Sequence, residues 1–278
     1  MYPFINIFDK NVSVYGIMML IGFFSAFLLA YIRAKRFGVT PDDIVYIYLL
    51  AVCGGITGAF LLRPIIKLPE ILMHWGNYSS MRVKDFLSYW FGELIFYGGI
   101  VGGLLSGLWY CRKFKLKASF AADIIAPAIP LGHAFGRIGC LFAGCCYGIE
   151  VTQETLLSIE YPQIENPITD VPTGVPLLAI PIIEAMSNIF ICIILLLFDK
   201  YKKTPGITLA VYGAIYASVR FIIEFYRGDI ARGTYGLLST SQIISIVIFI
   251  VSIVFIIMNV LQYNKRQLLT YAWTRNMN

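Results

Sequence analysis

Residues 241–261 read SQIISIVIFIVSIVFIIMNVL, twenty-one residues with no charge. Roughly 20 apolar residues span the hydrocarbon core of a bilayer, and a chain repeating such runs must satisfy its backbone internally. The apolar pattern predicts helical spans near 13–32, 43–62, 94–111, 120–142, 178–198, 206–226 and 241–261. Only 14% of the 278 residues are charged, against about 25% in an average soluble domain. The expected class is therefore an all-α polytopic membrane protein, a single membrane domain over 1–278 with seven transmembrane helices. Pro127 and Pro130 should kink or break the fourth span.

The formal charge of +6 has a membrane explanation, and no nucleic-acid partner is expected. Arg33, Lys35 and Arg36 follow span one, and Arg112, Lys113, Lys115 and Lys117 follow span three. Lys200, Lys202 and Lys203 follow span five, and Lys265, Arg266 and Arg275 follow span seven. The positive-inside rule makes these loops cytoplasmic, with the N-terminus outside and the C-terminus inside. No lysine or arginine occurs between Arg137 and Lys200, where Glu150, Glu154, Glu160, Glu165 and Asp170 stand instead. Residues 143–177, with strand-like pieces such as TLLSIEY, are expected to form a small extracytoplasmic head. The 63–92 connection carries Trp75, Tyr78, Tyr89, Trp90 and Phe91 among basic residues, which suits an amphipathic interfacial arm or an ordinary outer loop. VCGGITGAF (52–60) and FYGGIVGGLLSG (96–107) share small residues at spacings that let helices approach closely.

Charges inside spans are costly and tend to mark function. In span six, Tyr212, Tyr216, Arg220, Glu224 and Arg227 recur at helical steps and are expected on one face. Arg220 and Glu224 can lock the bundle as an ion pair, or Glu224 can orient Arg220 toward an anionic group. A guanidinium suits a phosphate because its fork donates two parallel hydrogen bonds and keeps its charge. Arg137 closes span four at the same expected leaflet level, one turn after His133. Residues 132–148, GHAFGRIGCLFAGCCYG, also hold three of the six cysteines. Their spacing is not a paired CxxC motif, so no metal and no cofactor are expected. Packing in a tight turn and a reactive or redox thiol both remain open for Cys140, Cys145 and Cys146.

These segments together resemble the prolipoprotein diacylglyceryl transferase family over nearly the whole chain. VYGIMMLIGF (14–23) is similar to the family's first-span motif, carried by Tyr15 and Gly16. YGGIVGG (97–103) is similar to its HGG motif, and residues 123–148 to its most specific segment, built on a GRxGN core. YASVRFIIEFYR (216–227) and SQIISI (241–246) resemble two further family segments. The resemblance implies transfer of the diacylglyceryl group of phosphatidylglycerol to the lipobox cysteine of a prolipoprotein signal peptide, releasing glycerol 1-phosphate. It implies a bacterial cytoplasmic (inner) membrane location with the site toward the outer leaflet.

Carried over, Arg137 and Arg220 would hold the lipid phosphate. Tyr15, Gly98, Gly99, Gly136, Gly148, Tyr216, Glu224 and Arg227 would line or shape the site. The family's histidine, asparagine and glutamate are here Tyr97, Cys140 and Cys145. A tyrosine, with an ordinary pKa near 10, is a poor base at neutral pH, so His133 is the expected substitute. The same departures leave open a paralogue that uses another extracytoplasmic acceptor, for example one that passes phosphoglycerol to a glycan. A non-enzymatic lipid-binding or thiol-redox membrane protein is the third reading.

Overall fold

A computed structural model describes residues 4–7, 10–74, 76, 81–91, 95–152, 155–163, 171–202, 204–229, 234–236 and 238–275. Helices dominate: α1 (Val14–Ala34), α2 (Pro41–Met73), α3 (Val83–Phe91), α4 (Phe96–Lys113), α5 (Ala118–Ile125), α6 (Ala128–Ala143), α7 (Ile180–Phe198), α8 (Ile207–Glu224) and α9 (Thr240–Arg275). Six stretches are long and apolar enough to cross a membrane, namely 14–37, 41–73, 118–143, 180–198, 207–224 and 240–263. The protein is thus a multi-pass membrane protein. The expected third span corresponds to α4, which lies outside that set of six.

The strands are short antiparallel pairs: β1 (Phe4–Ile7) with β2 (Lys10–Ser13), β3 (Ser158–Glu160) with β4 (Pro176–Leu178), and β5 (Thr234–Tyr235) with β6 (Leu238–Ser239). The strand expected in TLLSIEY is β3, in register Ser158↔Leu178 and Glu160↔Pro176. Glu154, Glu165 and Asp170 of the expected head, Trp75 and Tyr78 of the expected arm, and Lys203 lie outside the described residues.

The break expected in the fourth span is present. The fourth span is two helices, α5 and α6, separated at Ala126 and Pro127. Helix α2 instead continues to Met73 with Pro64 and Pro69 inside it. The helix thus runs about three turns beyond residue 62, where the apolar span was expected to end. Each proline removes one backbone donor, and a long apolar helix tolerates that loss where its neighbours re-satisfy the freed groups.

The chain divides into two compact units, 1–33 with 122–278, and 34–121. In the smaller unit α2 packs on α4 through glycine. A Cβ built on Gly58 would lie 2.2 Å from the Gly98 carbonyl oxygen, and one on Gly102 would lie 2.1 Å from the Gly54 oxygen. The two glycine runs that echo one another in sequence are the two sides of this contact. Tyr89 on α3 donates its hydroxyl to Glu70 on α2 at 2.8 Å.

In the larger unit a buried ionic network joins helix ends. Asp123 accepts from the Gly206 and Thr208 amides at 2.7 and 3.0 Å, so its carboxylate satisfies the first orphan donors of α8. Lys202 Nζ reaches Asp123 at 2.9 Å and Asp199 at 3.0 Å. Arg33 pairs with Asp199 and donates to the carbonyls of Asp123 and Ile124 at 2.8 and 3.0 Å. Burial works against the charge on Asp199, yet hydrogen bonds from Lys202 and Arg33 outweigh it and hold the carboxyl below its ordinary range. Helix α9 begins with a reciprocal cap. The Gln242 side-chain Oε1 accepts from the Ser239 backbone amide at 2.9 Å, and the Ser239 hydroxyl accepts from the Gln242 backbone amide at 3.2 Å.

Candidate active site

Close backbone approach sets the site's floor. A Cβ on Gly22 of α1 would lie 2.7 Å from the Gly132 carbonyl oxygen of α6. Two turns along, a Cβ on Gly139 would lie 3.0 Å from the Tyr15 ring. This glycine seam seats Tyr15 against the helix that carries His133, Arg137 and Cys140. Gly136 lies on the same helix, 3.4 Å in this sense from the Met19 sulfur, which is ordinary contact.

Arg137 and Arg220 converge on one acid, Glu184 of α7. Arg137 Nη1 lies 2.8 Å from one Glu184 oxygen and Arg220 Nη1 lies 2.8 Å from the other. Arg220 also meets Glu224, 2.7 Å away and one turn on, and donates to the Ser241 hydroxyl at 3.2 Å. The arginine side chains are 14% and 12% exposed, and Glu184 is 4% exposed. The two guanidiniums and the carboxylates of Glu184 and Glu224 balance in formal charge, so any further anion would have to take donors from one of these acids.

His133 receives a hydrogen bond at Nε2 from Arg137 Nε at 3.0 Å. That donor fixes Nε2 as the acceptor, so a neutral ring carries its proton on Nδ1. Its ring lies 5.5 Å from that of Tyr216, which in turn lies 5.6 Å from Tyr212. His133 lies one turn before Arg137, as expected, and contacts it. Its acceptor nitrogen is, however, engaged by the arginine in this geometry.

The expected single face on span six is corrected at its end. Helix α8 stops at Glu224, so Arg227 lies in the turn beyond it. Its guanidinium pairs with Asp229 through Nε at 3.2 Å and Nη2 at 2.8 Å. Its backbone instead forms a bridge with Gly148. Gly148 is required there by space, since a Cβ would lie 2.6 Å from the Leu178 oxygen and 2.8 Å from Ile180. A Cβ on Gly228 would meet the Gly148 oxygen at 2.4 Å.

The three thiols come together although their spacing resembles no paired motif. Cys140 is on the last turn of α6. Gly144, with φ +72°, ends that helix, and Cys146 takes φ +60°. This double reversal returns Cys145 and Cys146 over the helix end, with all three sulfurs within 4.8 Å of one another. The Cys145 Sγ contacts the Cys140 carbonyl oxygen at 3.7 Å. Hydrogen bonds from Cys140 and Cys145, then the charges of Arg227 and Arg137, hold the Cys146 thiol well below the usual thiol range.

Tyr97, Gly98 and Gly99 belong to the smaller unit. Tyr97 is half-exposed at the start of α4, and Gly98 is occupied by helix packing, 2.3 Å in Cβ terms from the Gly58 oxygen. Sequence reasoning missed Glu184. It is an acid in an otherwise uncharged span, and the argument that singled out Arg220 would have found it.

Fold and site together define an integral membrane protein with a pair of arginines buried between two carboxylates. The prolipoprotein diacylglyceryl transferase family model matches residues 3–258. The chain is 35% identical to phosphatidylglycerol–prolipoprotein diacylglyceryl transferase 2 of Clostridium perfringens over 94% of its length and 96% of the relative's. It is 31% identical to the phosphatidylglycerol–prolipoprotein diacylglyceryl transferase of Clostridium tetani, covering 94% and 98%. A protein of the same name from Oceanobacillus iheyensis is 30% identical, covering 91% and 86%. The chain belongs to the prolipoprotein diacylglyceryl transferase family.

Proposed function

We propose that this chain transfers the diacylglyceryl group of phosphatidylglycerol to the cysteine thiol of a prolipoprotein. The observation that carries the reading is the shared contact of Arg137 and Arg220 with Glu184. A lipid phosphate entering there would compete with Glu184 for both guanidiniums. The thiol sulfur attacks the glycerol carbon, a C–S bond forms, and the C–O bond to phosphate breaks. The bond pair leaves with glycerol 1-phosphate, and the arginines offset the charge that develops on it. Holding both substrates side by side supplies much of the remaining acceleration.

The thiol proton needs a base. His133 serves once phosphate has drawn Arg137 away, because the Nε2 lone pair is then released. Tyr15, Gly136, Gly148 and Tyr216 shape the pocket, and Glu224 orients Arg220. Arg227, tied to Asp229, holds the outer wall rather than the phosphate. Helix α4 serves as the remaining span, and in sequence Tyr97 corresponds to the family's histidine, followed by Gly98 and Gly99. Residues 143–177 form an extracytoplasmic head over a site in the outer leaflet of the cytoplasmic membrane, and residues 63–92 an arm at the interface. The N-terminus is outside and the C-terminus inside, as the basic loops require.

A second reading keeps the donor and changes the acceptor. Tyr97, Cys140 and Cys145 stand where the family carries a histidine, an asparagine and a glutamate, and those departures favour it. Product analysis separates the two. Labelled glycerol phosphate released from phosphatidylglycerol supports diacylglyceryl transfer. Free diacylglycerol supports passage of phosphoglycerol to another nucleophile.

A further inference from the structure

The thiols at the end of α6 are left without a task by the transfer reaction. We propose that Cys140, Cys145 and Cys146 form a three-coordinate thiolate site for a soft, thiophilic metal ion, with copper(I) as the best-fitting ion. The sulfur geometry carries it. The sulfurs lie within 4.8 Å of one another. A metal in the plane of three sulfurs, at a metal–sulfur distance of about 2.3 Å, separates them by about 4 Å. The cluster therefore closes on an ion with sulfur movements of under about 1 Å.

Donor number and type select the ion. Soft thiolates select copper(I), zinc and iron–sulfur clusters. A closed zinc site takes four protein ligands, and no fourth His, Cys, Asp or Glu atom joins this group among the described residues. Three sulfurs and no harder donor suit a three-coordinate soft ion. The backbone is shaped to make this set. Gly144 and Cys146 both adopt left-handed φ, and without that reversal Cys145 and Cys146 could not return over Cys140.

The surroundings supply the rest of a metal site. The Tyr161 hydroxyl is buried and has no hydrogen-bond partner among the described residues. In the proposed site this phenol would be the donor to a metal-bound thiolate, an outer-shell contact of the kind that tunes metal sites. Binding one copper(I) displaces the remaining thiol protons to solvent and leaves the site with two net negative charges. Arg137 and Arg227, whose charges reach these thiols, offset them. The ion would then sit one turn of helix from the Arg137 that holds the phosphate in the proposed reaction. The site stands on its own geometry, whichever acceptor that reaction uses.

The test uses the full-length protein in detergent, purified with a phosphine reductant in place of thiols. Copper(I) is titrated against a copper(I)-selective chromophoric chelator, and the loaded protein is measured by X-ray absorption. The expected result is one copper per chain, with three sulfur neighbours. Cys145→Ser and Cys146→Ser each lower the affinity at least ~100-fold, and Tyr161→Phe lowers it ~10-fold, the scale of outer-shell losses. Cys53→Ser and Cys192→Ser change nothing. Loss of all copper to the chelator by the unaltered protein overturns the proposal. So does a two-sulfur environment, or full retention after Cys145→Ser. The sulfur count of the unaltered protein decides the matter even if a cysteine variant fails to fold.

Discussion

Replacing Glu184 with alanine removes the carboxylate that two guanidiniums share at 2.8 Å each. Neither arginine can recover its hydration, since their side chains are 14% and 12% exposed. Breaking a buried pair by deleting one partner costs about 3–5 kcal/mol. Arg220 keeps Glu224 at 2.7 Å, so the loss falls on Arg137, which retains the neutral His133 nitrogen at 3.0 Å. That places Glu184→Ala near the lower end, at about 3 kcal/mol. Glutamine keeps one acceptor oxygen, and a hydrogen bond to a charged group contributes roughly 1.5–3 kcal/mol, so Glu184→Gln should lose about half as much. The assay is unfolding in mild detergent titrated with a denaturing one, followed by tryptophan fluorescence. Adding Arg137→Ala to Glu184→Ala should cost less than the two losses summed, with a coupling of about 2 kcal/mol. A loss below about 1 kcal/mol for Glu184→Ala, or additive losses in the double variant, would refute the claim that this carboxylate organises the arginines.

Arg220→Ala and Arg137→Ala should each lower transfer by about 100- to 1,000-fold, the scale for deleting one preorganised donor to a developing anion. His133→Ala should lower transfer while phosphatidylglycerol binding persists, and full activity would remove the base assignment. Gly148→Ala forces a Cβ to within 2.6 Å of the Leu178 backbone oxygen, so it should disrupt the Gly148–Arg227 bridge and lower the unfolding midpoint. Asp199 gives a pH dependence. Its folded-state pKa is depressed, so its contribution is complete above the unfolded value near 3.9 and is lost as pH falls through the lower folded value. Asp199→Asn should therefore lower stability at neutral pH and flatten its fall below about pH 4, as unfolding titrations across that range would record.

The parts of this molecule that were legible in the sequence rest on short-range rules. Apolar runs marked the long helices, and Pro127 marked the break between α5 and α6. The i,i+4 spacing predicted that Arg220 and Glu224 would meet. The glycine echoes at 52–60 and 96–107 predicted close helices and found each other across α2 and α4. What escaped was long-range or conformational. Glu184 meets Arg137 and Arg220 from helices distant in sequence, and no local period records that meeting. The thiol cluster depends on φ +60° at Cys146, a conformation rare for a residue with a side chain and invisible to a spacing rule. Arg227 left the expected face because α8 ended one turn sooner than its polar pattern. Helix α2 ran past two prolines because apolar surroundings outweighed two missing donors.

The central claim is that the arginine pair handles the phosphate of a lipid donor. Purified protein, headgroup-labelled phosphatidylglycerol and a lipobox peptide test it directly, with Arg137→Ala alongside. The account predicts labelled glycerol phosphate and a lipidated peptide in equal amounts, both lost in the variant. Lipidation that survives Arg137→Ala, or donor binding with no glycerol phosphate released, would contradict it.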